Sequence, residues 1–144
     1  MDETVQLLQD VVRNARTGQE AVEQLMKKAE HGPMKRELAL EQEDYAVARR
    51  EGEQALREAG GRAEPVGPMA KTGMWIGLEL ETLADRSDEH IAEIVIQGAT
   101  MGVIEMTKSL NTYDAADPRA RGIASRFVVR QNEAIDRQKG FLGN

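Results

Sequence analysis

Residues 34–59 read MKRELALEQEDYAVARREGEQALREA, with apolar or small side chains at Met34, Leu38, Tyr45, Ala48, Gly52, Ala55 and Ala59. That alternating three- and four-residue spacing puts all of them on one helix face, as a helix pressed against a core requires. The series has one interruption: Glu41 stands where an aliphatic side chain is expected.

The same pattern extends in both directions. Upstream, Val5, Leu8, Val12, Ala15, Val22, Met26 and Ala29, with Gln19 filling the gap, predict a helix from Asp2 to His31. Asp2 would cap it and Gly32-Pro33 would stop it. Downstream, Gly60-Gly61 ends the second helix, Pro65, Gly67 and Pro68 mark a connection, and a short helix from Met69 to about Ala84 carries Trp75 as a packing anchor. Asp85-Arg86-Ser87-Asp88 supplies cap-type residues for a third helix, about Glu89 to Leu110, with Ile91, Ile94, Gly98, Met101 and Glu105 facing inward. Asn111 to Asp117 reads as a loop. Asp117-Pro118, a cap followed by a first-turn proline, opens a last helix to about Phe141, facing inward through Ala124, Phe127 or Val128, Gln131, Ile135, Gln138 and Leu142.

No stretch shows the alternation of a half-buried strand. Four stripes with short connections predict an all-α, antiparallel four-helix bundle running up-down-up-down, with one extra short helix, as a single domain over 1–144. At 144 residues there is no room for a second domain, and an aromatic content of 3% leaves the core to aliphatic side chains and Met. The absence of cysteine excludes disulfides, thiolate metal sites and a Cys nucleophile. The opening MDETVQLLQD is acidic and polar where an export signal is basic and then apolar, so a cytoplasmic location is expected. The most apolar run, Ile91 to Met106, contains Glu93, Gln97 and Glu105 and falls short of the ~20 residues of a membrane span, so no membrane partner is expected.

One polar residue per long helix falls on or beside the predicted core stripe: Gln19, Glu41, Glu105 and Gln131. Burying an unpaired carboxylate costs several kcal/mol, so these groups must bond to one another, hold a cation, be hydrated, or be less buried than the stripe implies.

A carboxylate inside a helical bundle resembles the ferritin-like di-iron and di-manganese proteins, where two helices carry an inward Glu and two others carry Glu-x-x-His. Here Glu41-Gln42-Glu43-Asp44 and Glu133-Ala134-Ile135-Asp136 keep the spacing with Asp in place of His. His31 and His90 sit at helix ends and do not substitute. The whole chain resembles the bacterial ferritin-like bundles of unknown function through Arg16-Thr17-Gly18 in the first helix, the Gly-Pro-rich link, Trp75 on a short helix, and the Asp-rich break at 85–88 ahead of two amphipathic helices. The resemblance implies the ferritin-like fold. Oxygen-only ligand sets suit Fe or Mn, and the candidate ligands are Glu20, Glu23, Glu41, Asp44, Glu105 and Glu133.

Other chemistries find less support. The segment from Tyr113 to Asn144 is basic, with Arg119, Arg121, Arg126, Arg130, Arg137 and Lys139, but the chain as a whole carries a net charge of −6. These arginines are expected to pair with a neighbouring helix bearing Glu51, Glu53 and Glu58, and no nucleic-acid partner is expected. No Ser, Thr or Lys has a His partner to activate it. Gly98-Ala99-Thr100-Met101-Gly102 lies in a helical pattern and is no phosphate loop. The reading is a non-enzymatic oligomerisation or partner-binding module without a cofactor, forming a homodimer or binding another protein, with an Fe- or Mn-binding bundle as the alternative.

Overall fold

The computed structural model describes residues 2–62 and 83–143. Four helices account for most of them: α1 (Glu3–Lys28), α2 (Gly32–Glu58), α3 (Asp88–Thr112) and α4 (Pro118–Lys139). There is no strand among the described residues. The expected short helix, with Trp75, Met69 and Met74, lies outside them.

The caps explain the boundaries. Asp2 accepts from the Thr4 amide at 2.9 Å, Ser87 from the His90 amide at 3.2 Å, and Asp117 from the Ala120 amide at 2.8 Å, satisfying donors that the first helical turn leaves free. Pro118 follows Asp117 in the first turn, as the sequence suggests. Gly32-Pro33 behaves differently from expectation. The chain leaves α1 at Ala29 in an extended conformation, and Gly32-Pro33 forms the first turn of α2, where proline's missing N–H costs nothing. The third helix runs on to Thr112, shortening the loop that follows.

Cross-chain contacts fix the directions. α1 runs antiparallel to α2, since Arg16 meets Glu53 and Glu23 meets Gln42, and antiparallel to α3, since Asp10 meets Ser109 and Asn14 meets Met106. α4 runs antiparallel to α2 through Glu58–Arg119 and Glu37–Arg137, and to α3 through Leu110–Arg121. Every adjacent pair is therefore antiparallel, with α1 diagonal to α4. α2 and α3 point the same way, so the path is up-down-down-up rather than up-down-up-down. Glu58 and Asp88 lie at opposite ends of the bundle.

Along α2, Met34, Leu38, Glu41, Tyr45, Ala48, Gly52 and Ala55 are all buried, and only Ala59 of the predicted stripe is exposed. They join Leu7, Leu8, Val11, Val12, Leu25, Ile91, Ile94, Met106 and Phe127 in one core. In α3 the stripe drifts, because 3.6 residues per turn do not repeat on a strict three-four count. Gly98, Gly102, Met106 and Ser109 take the inner positions, Glu105 is only partly buried and Met101 is exposed. In α4 Phe127, not Val128, is fully inside, and Leu142 is exposed.

Candidate functional site in the seam between α2 and α4

Helices built on a shared core normally meet through aliphatic side chains. α2 and α4 meet through polar ones. At one end Arg137 Nε donates to both carboxylate oxygens of Glu37, at 2.9 and 3.0 Å, while Arg137 Nη2 lies 3.6 Å from Asp44. Glu37 is buried while the Arg137 side chain is 39% exposed, so this is a charge-assisted, two-oxygen contact that covers the carboxylate from the solvent side. One turn further in, Gln138 Nε2 donates to Glu41 Oε2 at 2.7 Å and lies 3.7 Å from the Met34 sulfur. Glu41 is 1% exposed and Gln138 is fully buried. Next come Tyr45 and Phe127, edge to face with ring centroids 5.8 Å apart. Beyond them Glu51 lies 3.6 Å from Arg126 and 3.5 Å from Arg130, and Arg119 closes the row on Glu58.

This environment shifts titrations in one direction. Burial pushes the Glu41 carboxyl up to about 10, reinforced by the neighbouring negative Glu37 carboxylate and opposed by the Gln138 hydrogen bond and the Arg137 charge. Glu41 is thus a neutral acid at pH 7. Partial burial also raises Asp44, against the pull of Arg137 and Arg130. The Tyr45 phenol is raised by complete burial and by the Glu41 and Asp44 charges. Burial works to lower Arg137, but its hydrogen bond to Glu37 and the charges of Glu37, Asp44 and Glu41 outweigh that and hold it above its ordinary value.

The six candidate metal ligands do not gather. Glu41 and Asp44 sit in the seam, and Glu133 is exposed on α4, near enough to Asp44 to raise its pKa. Glu20 and Glu23 are exposed on α1, beside an open groove shared with Arg16, Gln19 and Arg49, and Glu23 accepts from Gln42 at 2.9 Å. Glu105 lies on α3, which does not border this seam. Among the described residues no three His, Asp or Glu side chains are grouped to hold a metal ion. The expected four-helix polar layer is likewise narrower. Glu41 and Gln131 are buried, whereas Gln19 is partly exposed and accepts from Arg49 Nε at 3.0 Å. Glu37 escaped the sequence reading, although its position four residues before Glu41 puts it on the same face. The expected pairing of α4 arginines with α2 is present at Glu51 and Glu58, while Glu53 turns instead to Arg16 at 2.9 Å and Arg49 at 3.7 Å.

No family model matches the chain, and no curated protein matches it. Among solved structures it is similar to one described as the crystal structure of a DUF305 fragment from Deinococcus radiodurans, with a TM-score of 0.78 at 18% sequence identity. The match covers 99% of this chain and 97% of that one. It establishes a shared all-α, four-helix fold. No helix among the described residues is long and apolar enough to cross a membrane.

Proposed function

We propose that the chain is a non-enzymatic, ferritin-like bundle that acts as an oligomerising scaffold, pairing with a second copy through the outer face of α3. The parallel run of α2 and α3 supports the ferritin-like reading, since such folds carry one crossover connection. The pairing rests on one observation. Met101 and Ile104 are 37% and 40% exposed at the middle of α3, on the face that also presents Glu93, Gln97 and Lys108. Glu93 precedes Met101 by about two turns and Lys108 follows it by about two turns, or ~10–12 Å in each direction. A two-fold axis near Met101 lays two α3 helices antiparallel, apolar centre on apolar centre, and brings Glu93 of each copy toward Lys108 of the other. Lys108 has no ion pair among the described residues, which leaves its charge available.

Sedimentation equilibrium tests this reading. The wild type is expected to dimerise, Ile104→Glu to be monomeric with unchanged helicity, and Glu93→Lys to weaken the dimer. Combining Glu93→Lys with Lys108→Glu should restore it. A wild type that stays monomeric at the highest attainable concentration, or a double variant no better than the single one, overturns it.

A further inference from the structure

Between α2 and α4 the side chains of Glu41, Asp44, Tyr45, Phe127, Arg130 and Gln131 line a small, partly open cavity with about 10 Å³ of room for a water centre. Two of its lining residues are more than nine-tenths buried and have polar atoms without a protein partner: Glu41 Oε1, and both Oε1 and Nε2 of Gln131. Native interiors rarely tolerate this, because each unmet polar atom has given up its hydrogen bonds to water without replacement. The unmet set mixes an amide N–H donor with oxygen acceptors. A bare cation would leave the N–H of Gln131 unmet, and an anion would face the carbonyl and carboxyl oxygens. A molecule that both donates and accepts answers all of them, and the volume restricts it to the smallest such molecule.

We propose that this cavity is an internal hydration site, in which one ordered water bridges the Gln131 amide of α4 to the Glu41 carboxyl of α2. The volume stands at the lower edge of the ~10–15 Å³ that a water needs, and the partners lie within the two to four that buried waters use. The water completes the row that begins at Arg137–Glu37 and continues through Gln138–Glu41, so that α2 and α4 are joined by matched polar groups along their buried line. Glu41 thereby serves both helices, accepting from Gln138 through Oε2 and meeting the water through Oε1.

Magnetic relaxation dispersion of water oxygen, which detects long-lived internal waters, tests the site on the full chain. Gln131→Met keeps the side-chain volume and removes both amide atoms, and is expected to show one long-lived water fewer than the wild type. An equal count in the two proteins overturns the proposal. A high-resolution crystal structure of the wild type gives a second test that needs no variant. One water within hydrogen-bonding distance of Glu41 Oε1 and the Gln131 amide is expected. A dry cavity, with Gln131 turned onto a protein partner, refutes the site.

Discussion

α2 faces two neighbours, and it treats them differently. Toward α1 it packs by close approach: the Tyr45 ring lies directly over Gly18, and Gly52 receives the methyl groups of Val11 and Val12. Polar contacts on that side stay at the rim, as Arg16–Glu53 at 2.9 Å and Arg49–Gln19 at 3.0 Å. Toward α4 the same helix turns Glu37 and Glu41 inward, and the contact is made of an ion pair, an acid–amide bond and a row of arginines. The dry seam gains from the surface it removes from water and is tolerant of small slips. The polar seam contributes little net energy, but Glu37–Arg137 and Glu41–Gln138 can form together in only one alignment of the two helices. One face of α2 supplies adhesion and the other supplies register.

The largest predicted effect breaks the polar side by pH. Glu41 titrates near 10 in the folded protein and at the ordinary 4.5 when unfolded. Its contribution is fully present below the unfolded value and is lost as pH rises toward the folded one, because only the native state keeps the proton in between. The slope is at most about −1.4 kcal/mol per pH unit, so stability measured by urea unfolding should fall by up to ~4 kcal/mol from pH 6 to pH 9. Glu41→Gln, neutral at every pH, should flatten that dependence. A wild type with equal stability at both values would mean that Glu41 is charged and paired in the folded state.

The next effect tests the dry side. A methyl group at Gly18 would enter the buried Tyr45 ring, which Phe127 also contacts edge to face. Gly18→Ala should therefore destabilise by about 2–3 kcal/mol despite the helix propensity that alanine gains. At Gly52 the added methyl would stand 3.0 and 3.1 Å from valine methyl groups, which yield by small shifts. Gly52→Ala is expected within ~1 kcal/mol of wild type, the clash offset by propensity. Equal losses at the two glycines, in the same urea titrations, would show that close approach is not what distinguishes this seam.

The sequence made the dry side legible and the polar side only partly so. Helical spacing found an α2 stripe whose every position from Met34 to Ala55 is buried, because one face of a regular helix repeats in a way that arithmetic can follow, although Glu37 and Ala46 beside it are buried too. It also marked Glu41 and Gln131 as polar groups inside. It erred at Glu105, since a stripe extrapolated over four turns of α3 rotates away from the core and gives the inner place to Met106. It missed Glu37, whose i, i+4 relation to Glu41 was there to read, and the role of Arg137, which depends on the rotation of two helices about each other. The chain direction was hidden for the same reason: local patterns show that four helices exist, while the contacts Asp10–Ser109 and Glu58–Arg119 decide which way each one runs.

The smallest predicted effect separates the buried part of the polar seam from its exposed end. Arg119 and Glu58 make a close contact, yet both side chains are about half exposed. The Arg119 and Gln54 hydrogen bonds hold Glu58 below its ordinary pKa, but in open solvent such a pair is screened by salt and loses side-chain entropy, so it contributes little to stability. Arg119→Ala should therefore shift the melting temperature only slightly, and the shift should shrink further in high salt. Arg137→Met should cost more at every salt concentration, because it strands the buried Glu37 carboxylate without a partner. A salt titration of thermal melts on the two variants measures this directly. If they respond alike, the register of α2 on α4 is set along the whole row of charges rather than at its buried end.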